Sequence, residues 1–150
     1  MKGQSGVSFM ELALDEARAA ALRGEVPVGA VIVSGGRIVA RAGNRTRELA
    51  DPTAHAELLA IRAAARILGT RLTGADLYVT LEPCPMCAAA ISAARVARLY
   101  YGASDPKSGG VGQGPRIFAH PQCHHVPEVY DGLSAKTSER LLKDFFAARR

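Results

Sequence analysis

Apolar residues recur at Phe9, Leu12, Ala13, Ala17, Ala20 and Ala21 with charged positions between them, the spacing of an amphipathic helix that runs until Gly24. Ser8-Phe9-Met10-Glu11 reads as the capping box that starts it. Residues 26–33 are almost uniformly apolar and β-branched, which predicts a strand covered on both faces, and Ser34-Gly35-Gly36 turns it into a second strand over 37–43. A capping side chain and a first-turn proline coincide at Asp51-Pro52-Thr53, so the second helix is predicted from there to Gly69. A strand over 75–81, an alanine-rich helix over 85–94 and a strand over 97–102 follow. A glycine-rich loop over 108–115 and a short strand near 126–130 then precede a last helix carrying Leu141, Leu142, Phe145 and Phe146. Strands and helices that alternate in this way predict a layered α/β domain with helices covering a sheet.

Composition narrows the class. At 150 residues the chain has the size of one domain, which buries roughly 70 % of its unfolded surface. Residues that are 48 % hydrophobic and 22 % charged are ordinary for a globular protein, no stretch has the apolar length of a membrane helix, and the first residues lack the pattern of a secretory signal. A cytosolic location is the expectation. The net charge of +5 is carried mostly by arginine, which suits bidentate contact with phosphate and makes nucleic acid a candidate partner.

The chemistry is concentrated at His55-Ala56-Glu57 and Pro83-Cys84-Pro85-Met86-Cys87. One His and two Cys supply three zinc ligands, which is the count of a catalytic site that leaves the fourth position to water; a structural zinc is normally closed by four. With Cys84 and Cys87 at the start of a helix, unpaired N–H groups and the positive end of the dipole favour thiolates. Two thiolates and a neutral imidazole balance Zn²⁺, and water on such a metal ionises near neutral pH. Glu57, placed with His55 in the first turn of the second helix and not needed as a ligand, is the candidate proton carrier. A redox dithiol would not need the His-x-Glu element, and a zinc ribbon would need a second ligand pair. H-x-E with P-C-x-x-C is the signature of zinc nucleobase deaminases.

Beyond this signature, Glu25-Val26-Pro27-Val28-Gly29-Ala30-Val31, Gly43-Asn44-Arg45, Asp51-Pro52-Thr53-Ala54-His55-Ala56-Glu57 and Leu77-Tyr78-Val79-Thr80-Leu81-Glu82-Pro83-Cys84-Pro85-Met86-Cys87 resemble, nearly end to end, the bacterial tRNA-specific adenosine deaminases of the cytidine deaminase-like superfamily. The resemblance implies a three-layer α/β/α sandwich around a mixed sheet of about five strands. It also implies one Zn²⁺ per subunit, a homodimer, and conversion of adenosine to inosine at the wobble position of a tRNA anticodon, typically of an arginine tRNA. By matching position it makes Asn44 a binder of the purine, Pro27 and Val28 lining of the pocket, and Asp105 a neighbour of the sugar-phosphate backbone. The resemblance also implies tRNA contact by Arg149 and Arg150, and Phe146 is a candidate to stack on a base.

Taken without the resemblance, Asn44 and Asp105-Pro106 are ordinary turn residues, and Arg149 and Arg150 a solvated tail. Phe145 and Phe146 are adjacent and cannot face the same way, so one is expected in the core and one on the surface. Residues 107–115 lack the Gly-Lys-Ser or Gly-Lys-Thr ending of a phosphate loop. A fourth ligand from His120-Pro121-Gln122-Cys123-His124-His125 would close the zinc and leave Glu57 without a purpose. His124, where the family commonly has Asn, and Gly114-Pro115-Arg116 depart from the family pattern. Two rival functions follow: a deaminase of a free base such as guanine or cytosine, which the same zinc chemistry would serve, and a zinc-bearing RNA-binding subunit without activity, against which Glu57 argues.

Overall fold

The computed structural model describes residues 6–149, with side chains described from residue 9 onward. The first helix, α1 (Gly6–Leu22), already includes Ser8, so the capping box does not mark its start. Two strands, β1 (Gly29–Ser34) and β2 (Arg37–Gly43), form an antiparallel hairpin closed by Gly35 and Gly36. Both glycines have positive φ, as a two-residue turn matched to strand twist requires. β1 begins three residues later than its apolar run. The Val28 N–H donates to the Val26 carbonyl at 2.8 Å, a γ-turn centred on Pro27, which has no N–H for a ladder.

After the hairpin, α2 (Ala56–Leu68), β3 (Asp76–Leu81), α3 (Pro85–Ala93) and β4 (Arg98–Ala103) follow in order. A 3₁₀ turn at Ile117–Ala119, the short β5 (Glu128–Tyr130) and α4 (Ala135–Ala147) complete the described chain. Strand order is β2-β1-β3-β4-β5, antiparallel up to β3 and parallel from β3 to β5, so the sheet is mixed as expected.

Side chains alternate across this sheet. Val31, Val33 and Tyr78 bury against Met10 and Ala13 of α1 on one face. Ala30, Ile32, Leu77, Val79 and Leu99 bury against Ala56, Ala60 and Ala64 of α2 and Ile91 of α3 on the other. These are the three layers. The first face depends on close approach: Gly29 and Gly43 pair across the hairpin, and a Cβ on Gly29 would stand 1.9 Å from the Ala13 carbonyl oxygen of α1.

The predicted start of α2 needs correction. Asp51 does not cap it; its Oδ1 accepts the Thr53 N–H at 2.8 Å and the Thr53 hydroxyl at 2.7 Å, a local turn that uses up the capping side chain. The helix starts at Ala56 with His55 as its N-cap, so His55 precedes the first turn instead of lying in it.

Candidate active site

Two helix N-termini meet at one point. His55 caps α2 without using its side chain, because the exposed helix donor is served from another loop: Asn44 Oδ1 accepts the Ala56 N–H at 2.8 Å. The imidazole is therefore available to face α3. There Cys84 is the N-cap, Pro85 takes the first helical position, and Cys87 stands one turn in, fully buried. His55 Nδ1 lies 3.6 Å from Cys84 Sγ and 3.5 Å from Cys87 Sγ, and all three atoms fall within 4.8 Å of one another. Tetrahedral bonds of about 2.3 Å to sulfur and about 2.05 Å to nitrogen would set N and S about 3.6 Å apart, so the spacing fits a zinc ion held between them.

The charges lead to the same conclusion. The hydrogen bond from Cys87 is the largest influence holding the Cys84 thiol down to about 4, against burial, with His55 adding to it. Cys87 moves the opposite way, raised by that same bond, by burial and by the negative charges of Glu57 and Cys84. Bonding to Cys84 in turn raises the His55 imidazole, against burial, with the Glu57 and Cys84 charges assisting. A divalent cation between the three atoms would stabilise both sulfurs as thiolates. Burial pushes the Glu57 carboxyl up to about 7, against its own backbone N–H and His55. It is 4 % exposed.

Val26, Val28, Asn44, Thr46, Leu81, Glu82, Asp105 and Ser108 line a cleft of about 250 Å³ above His55, Glu57 and Cys84. Two buried carboxylates hold its walls. Glu25 accepts the N–H groups of Arg47 (3.2 Å) and Glu48 (2.8 Å) and so ties down the loop carrying Thr46. Glu82, at the end of β3, accepts from the loop carrying Asp105 and Ser108. Burial pushes both carboxyls up, but these N–H donors more than offset it and hold each below the usual range. A larger cavity, about 590 Å³, lies on the outer side of α3 beside Ala89, Ala93 and Cys123 and contains none of the four chemical groups. Size alone would have chosen the wrong site.

The model of the cytidine and deoxycytidylate deaminase zinc-binding region matches residues 4–103. A tRNA-specific adenosine deaminase of Agrobacterium fabrum is 63 % identical over 143 residues, covering 95 % of this chain and 94 % of the relative. The chain belongs to this deaminase family. A solved tRNA:A34 deaminase, studied for A-to-I editing at the wobble position of transfer RNA, superposes with a TM-score of 0.88 at 64 % identity, over 90 % of this chain and 99 % of that one. Guanine deaminase of Bacillus subtilis superposes at 0.67 with 33 % identity, over 97 % and 94 %.

Family membership makes the chain a deaminase, and the geometry sorts the residues expected from its sequence. His55, Glu57, Cys84 and Cys87 come together, and Val28, Asn44 and Asp105 reach the same cleft. Pro27 does not: it is buried at the centre of its γ-turn, and the lining positions go to Val26 and Val28 on either side. Asp105 Oδ1 also accepts the N–H groups of Lys107 (3.2 Å) and Ser108 (3.0 Å), so the turn role and the place at the cleft coexist.

Phe146 lies outside the cleft. It is half exposed beside Ala103, Ser104, Leu142 and Lys143, while Phe145 is buried, as their adjacency requires. Arg149 folds back, its guanidinium 3.6 Å from the Phe145 ring centroid and donating to the Phe145 carbonyl at 3.1 Å. Arg150 lies outside the described residues. Among the described residues, no ligand from 120–125 joins the His55 cluster. Cys123 lies 3.3 Å from the Ser92 hydroxyl, and His125 Nε2 is 2.7 Å from the Val96 carbonyl.

The sequence reading did not include Val26, Thr46, Leu81 or Ser108 in the lining, nor the buried anchors Glu25 and Glu82. A signal existed for the last: Glu82 ends an apolar strand just before the Pro83-Cys84 pair, where a buried carboxylate needs a partner.

Proposed function

We propose that this deaminase converts adenosine to inosine at the wobble position, A34, of a tRNA anticodon, arginine tRNA first among its substrates, as one zinc-dependent domain working in a homodimer in the cytoplasm. The observation that carries this reading is the 63 % identity, across nearly both whole chains, to a tRNA-specific adenosine deaminase. No helix among the described residues is long and apolar enough to cross a membrane. The same floor would serve a free base, and the likeness to guanine deaminase at 33 % identity keeps that as the second reading.

In this mechanism His55, Cys84 and Cys87 hold one Zn²⁺, which supplies, when bound, a Lewis-acid position where water ionises near neutral pH. Glu57 takes the proton from water as its oxygen adds to C6 of adenine, gives it to the ring nitrogen N1, and carries a proton to the departing amine. Water and adenosine thereby become inosine and ammonia. Burial, which raises the Glu57 carboxyl above its usual range, favours a group that can hold a proton between the two transfers.

Asn44 keeps its Oδ1 on the Ala56 N–H, so its amide N–H groups are the donors it offers the purine. Val26 and Val28 pack against the ring, and Asp105 meets the backbone beside it. A wobble base turned out of the anticodon loop enters at modest cost because loop bases are incompletely stacked. Phe146, Lys143, Arg149 and Arg150 extend the RNA footprint beyond the cleft.

The test is inosine formation in an anticodon stem-loop with adenosine at the wobble position, with free guanine, cytosine and adenine in parallel and Glu57→Gln as control. Inosine from the stem-loop alone supports the reading. Turnover of a free base instead overturns the substrate, and no turnover on any of them returns weight to a noncatalytic subunit.

A further inference from the structure

The loop over residues 104–113 forms one wall of the cleft, yet it contains no helix or strand. Its shape depends on the Glu82 carboxylate, which is 2 % exposed. Oε1 accepts the Ser104 hydroxyl at 3.2 Å and the Asp105 N–H at 2.9 Å; Oε2 accepts the N–H groups of Val111 (3.1 Å), Gly112 (2.9 Å) and Gln113 (3.0 Å). Three successive N–H groups converging on one oxygen form an anion nest, here filled by the protein's own side chain.

The packing leaves no slack around this carboxylate. A Cβ on Gly109 would stand 2.5 Å from Glu82 Cδ, and a Cβ on Gly110 2.5 Å from the Pro85 nitrogen. The Gly110 N–H also donates to the Pro83 carbonyl at 2.8 Å. Glu82 therefore fixes the wall carrying Asp105 and Ser108 against the segment that carries Cys84.

We propose that Glu82 is a positioning residue of the deaminase: its buried carboxylate, by gathering the donors of the 104–113 loop, places Asp105 and Ser108 for substrate binding and thereby sets affinity without taking part in proton transfer. The inference rests on the tRNA reading only for the choice of substrate. Glutamine at this position keeps one acceptor oxygen, but its NH₂ must face either the Asp105 N–H, with the Ser104 hydroxyl free to turn, or the three N–H groups of Val111, Gly112 and Gln113, and the loop on that side is pushed away.

Steady-state kinetics on the anticodon stem-loop test this with zinc-loaded Glu82→Gln and Gly109→Ala, the second displacing the loop from the opposite side of the same contact. Both variants are expected to raise KM about tenfold or more while kcat at saturation stays within about threefold and zinc content is unchanged. An unmoved KM in either folded variant overturns the proposal, as does a fall in kcat together with zinc content at constant KM. Should Glu82→Gln fail to fold, Gly109→Ala decides. If the wild-type protein turns over a free base and not the stem-loop, the tRNA reading fails, and the same KM and kcat ratios on that base still judge Glu82.

Discussion

At the floor of the cleft, His55, Glu57, Cys84 and Cys87 stand on two helix N-termini; at its rim, Thr46, Asp105 and Ser108 stand on loops that have no ladder or helix of their own. The floor takes its precision from regular structure, since helix bonds fix the backbone and the dipole ends favour negative charge. Around the rim, the loops depend on buried carboxylates, Glu25 on one side and Glu82 on the other, that accept the donors irregular backbone leaves unpaired. In the proposed function, chemistry would fall to the floor held by two helix starts and recognition to the rim held by buried carboxylates. Floor substitutions should act on kcat and metal, rim substitutions on KM.

The largest effect is expected at the proposed metal ligands. Cys84→Ala leaves two donors where three are needed, and zinc content measured by mass spectrometry should fall close to zero along with deamination. Cys123→Ser is the counterpart, because that sulfur lies near Ser92 and the His125 carbonyl and apart from the floor. It should keep full zinc and full activity; zinc loss there would break the division.

Glu57→Gln comes next. The amide keeps the size of the side chain and loses proton transfer, so turnover should fall about 10²–10⁴-fold. Zinc content and stem-loop affinity should hold. A variant that kept a tenth of its activity would remove Glu57 from the mechanism, and one that lost affinity as strongly as turnover would erase the distinction between floor and rim.

How much of this division was legible in the sequence follows from the same physics. The floor was legible because metal chemistry constrains residue types at short spacing, so His55, Glu57, Cys84 and Cys87 could be selected from one string. Strand and helix periodicity gave the layers for a similar reason, since burial on a sheet alternates. The rim was largely hidden. Glu25 and Glu82 serve donors about 20 to 30 positions away in the chain, and no local pattern reports a bond across that distance. Helix starts failed where a side chain had a second use: Asp51 bonds to Thr53, and the capping oxygen for α2 comes from Asn44 instead.

Asn44 joins the two regions and allows a finer cut. Asn44→Asp keeps an oxygen for the Ala56 N–H but removes the amide donors. It should leave thermal stability nearly unchanged and raise KM about tenfold, the value of one or two lost hydrogen bonds to the purine. Asn44→Ala removes both functions and should add a stability loss of about 1 kcal/mol, typical of a lost cap. Equal stability in the two variants would show that the bond to Ala56 does not hold the helix start.

Phe146 should give the smallest shift, because it lies on α4 outside the cleft and meets the wall loop only at its edge, beside Ser104. It is half exposed beside Lys143, while Phe145 stays in the core, and in the proposed footprint it would stack on a base next to the flipped one. Stacking of a base on an aromatic ring contributes about 1–3 kcal/mol, and a partly exposed ring falls at the lower end, so Phe146→Ala should weaken stem-loop binding about fivefold. Deamination of a bound stem-loop at saturation should be unchanged, and so should thermal stability, since the ring leaves water only in part. Phe145→Ala provides the opposite signature: a melting temperature lowered by several degrees, from loss of a buried ring, with binding affected only through the helix that carries Phe146. If Phe146→Ala instead destabilised the fold and left binding intact, the exposed ring would belong to the core of α4 and the RNA footprint would end at the cleft.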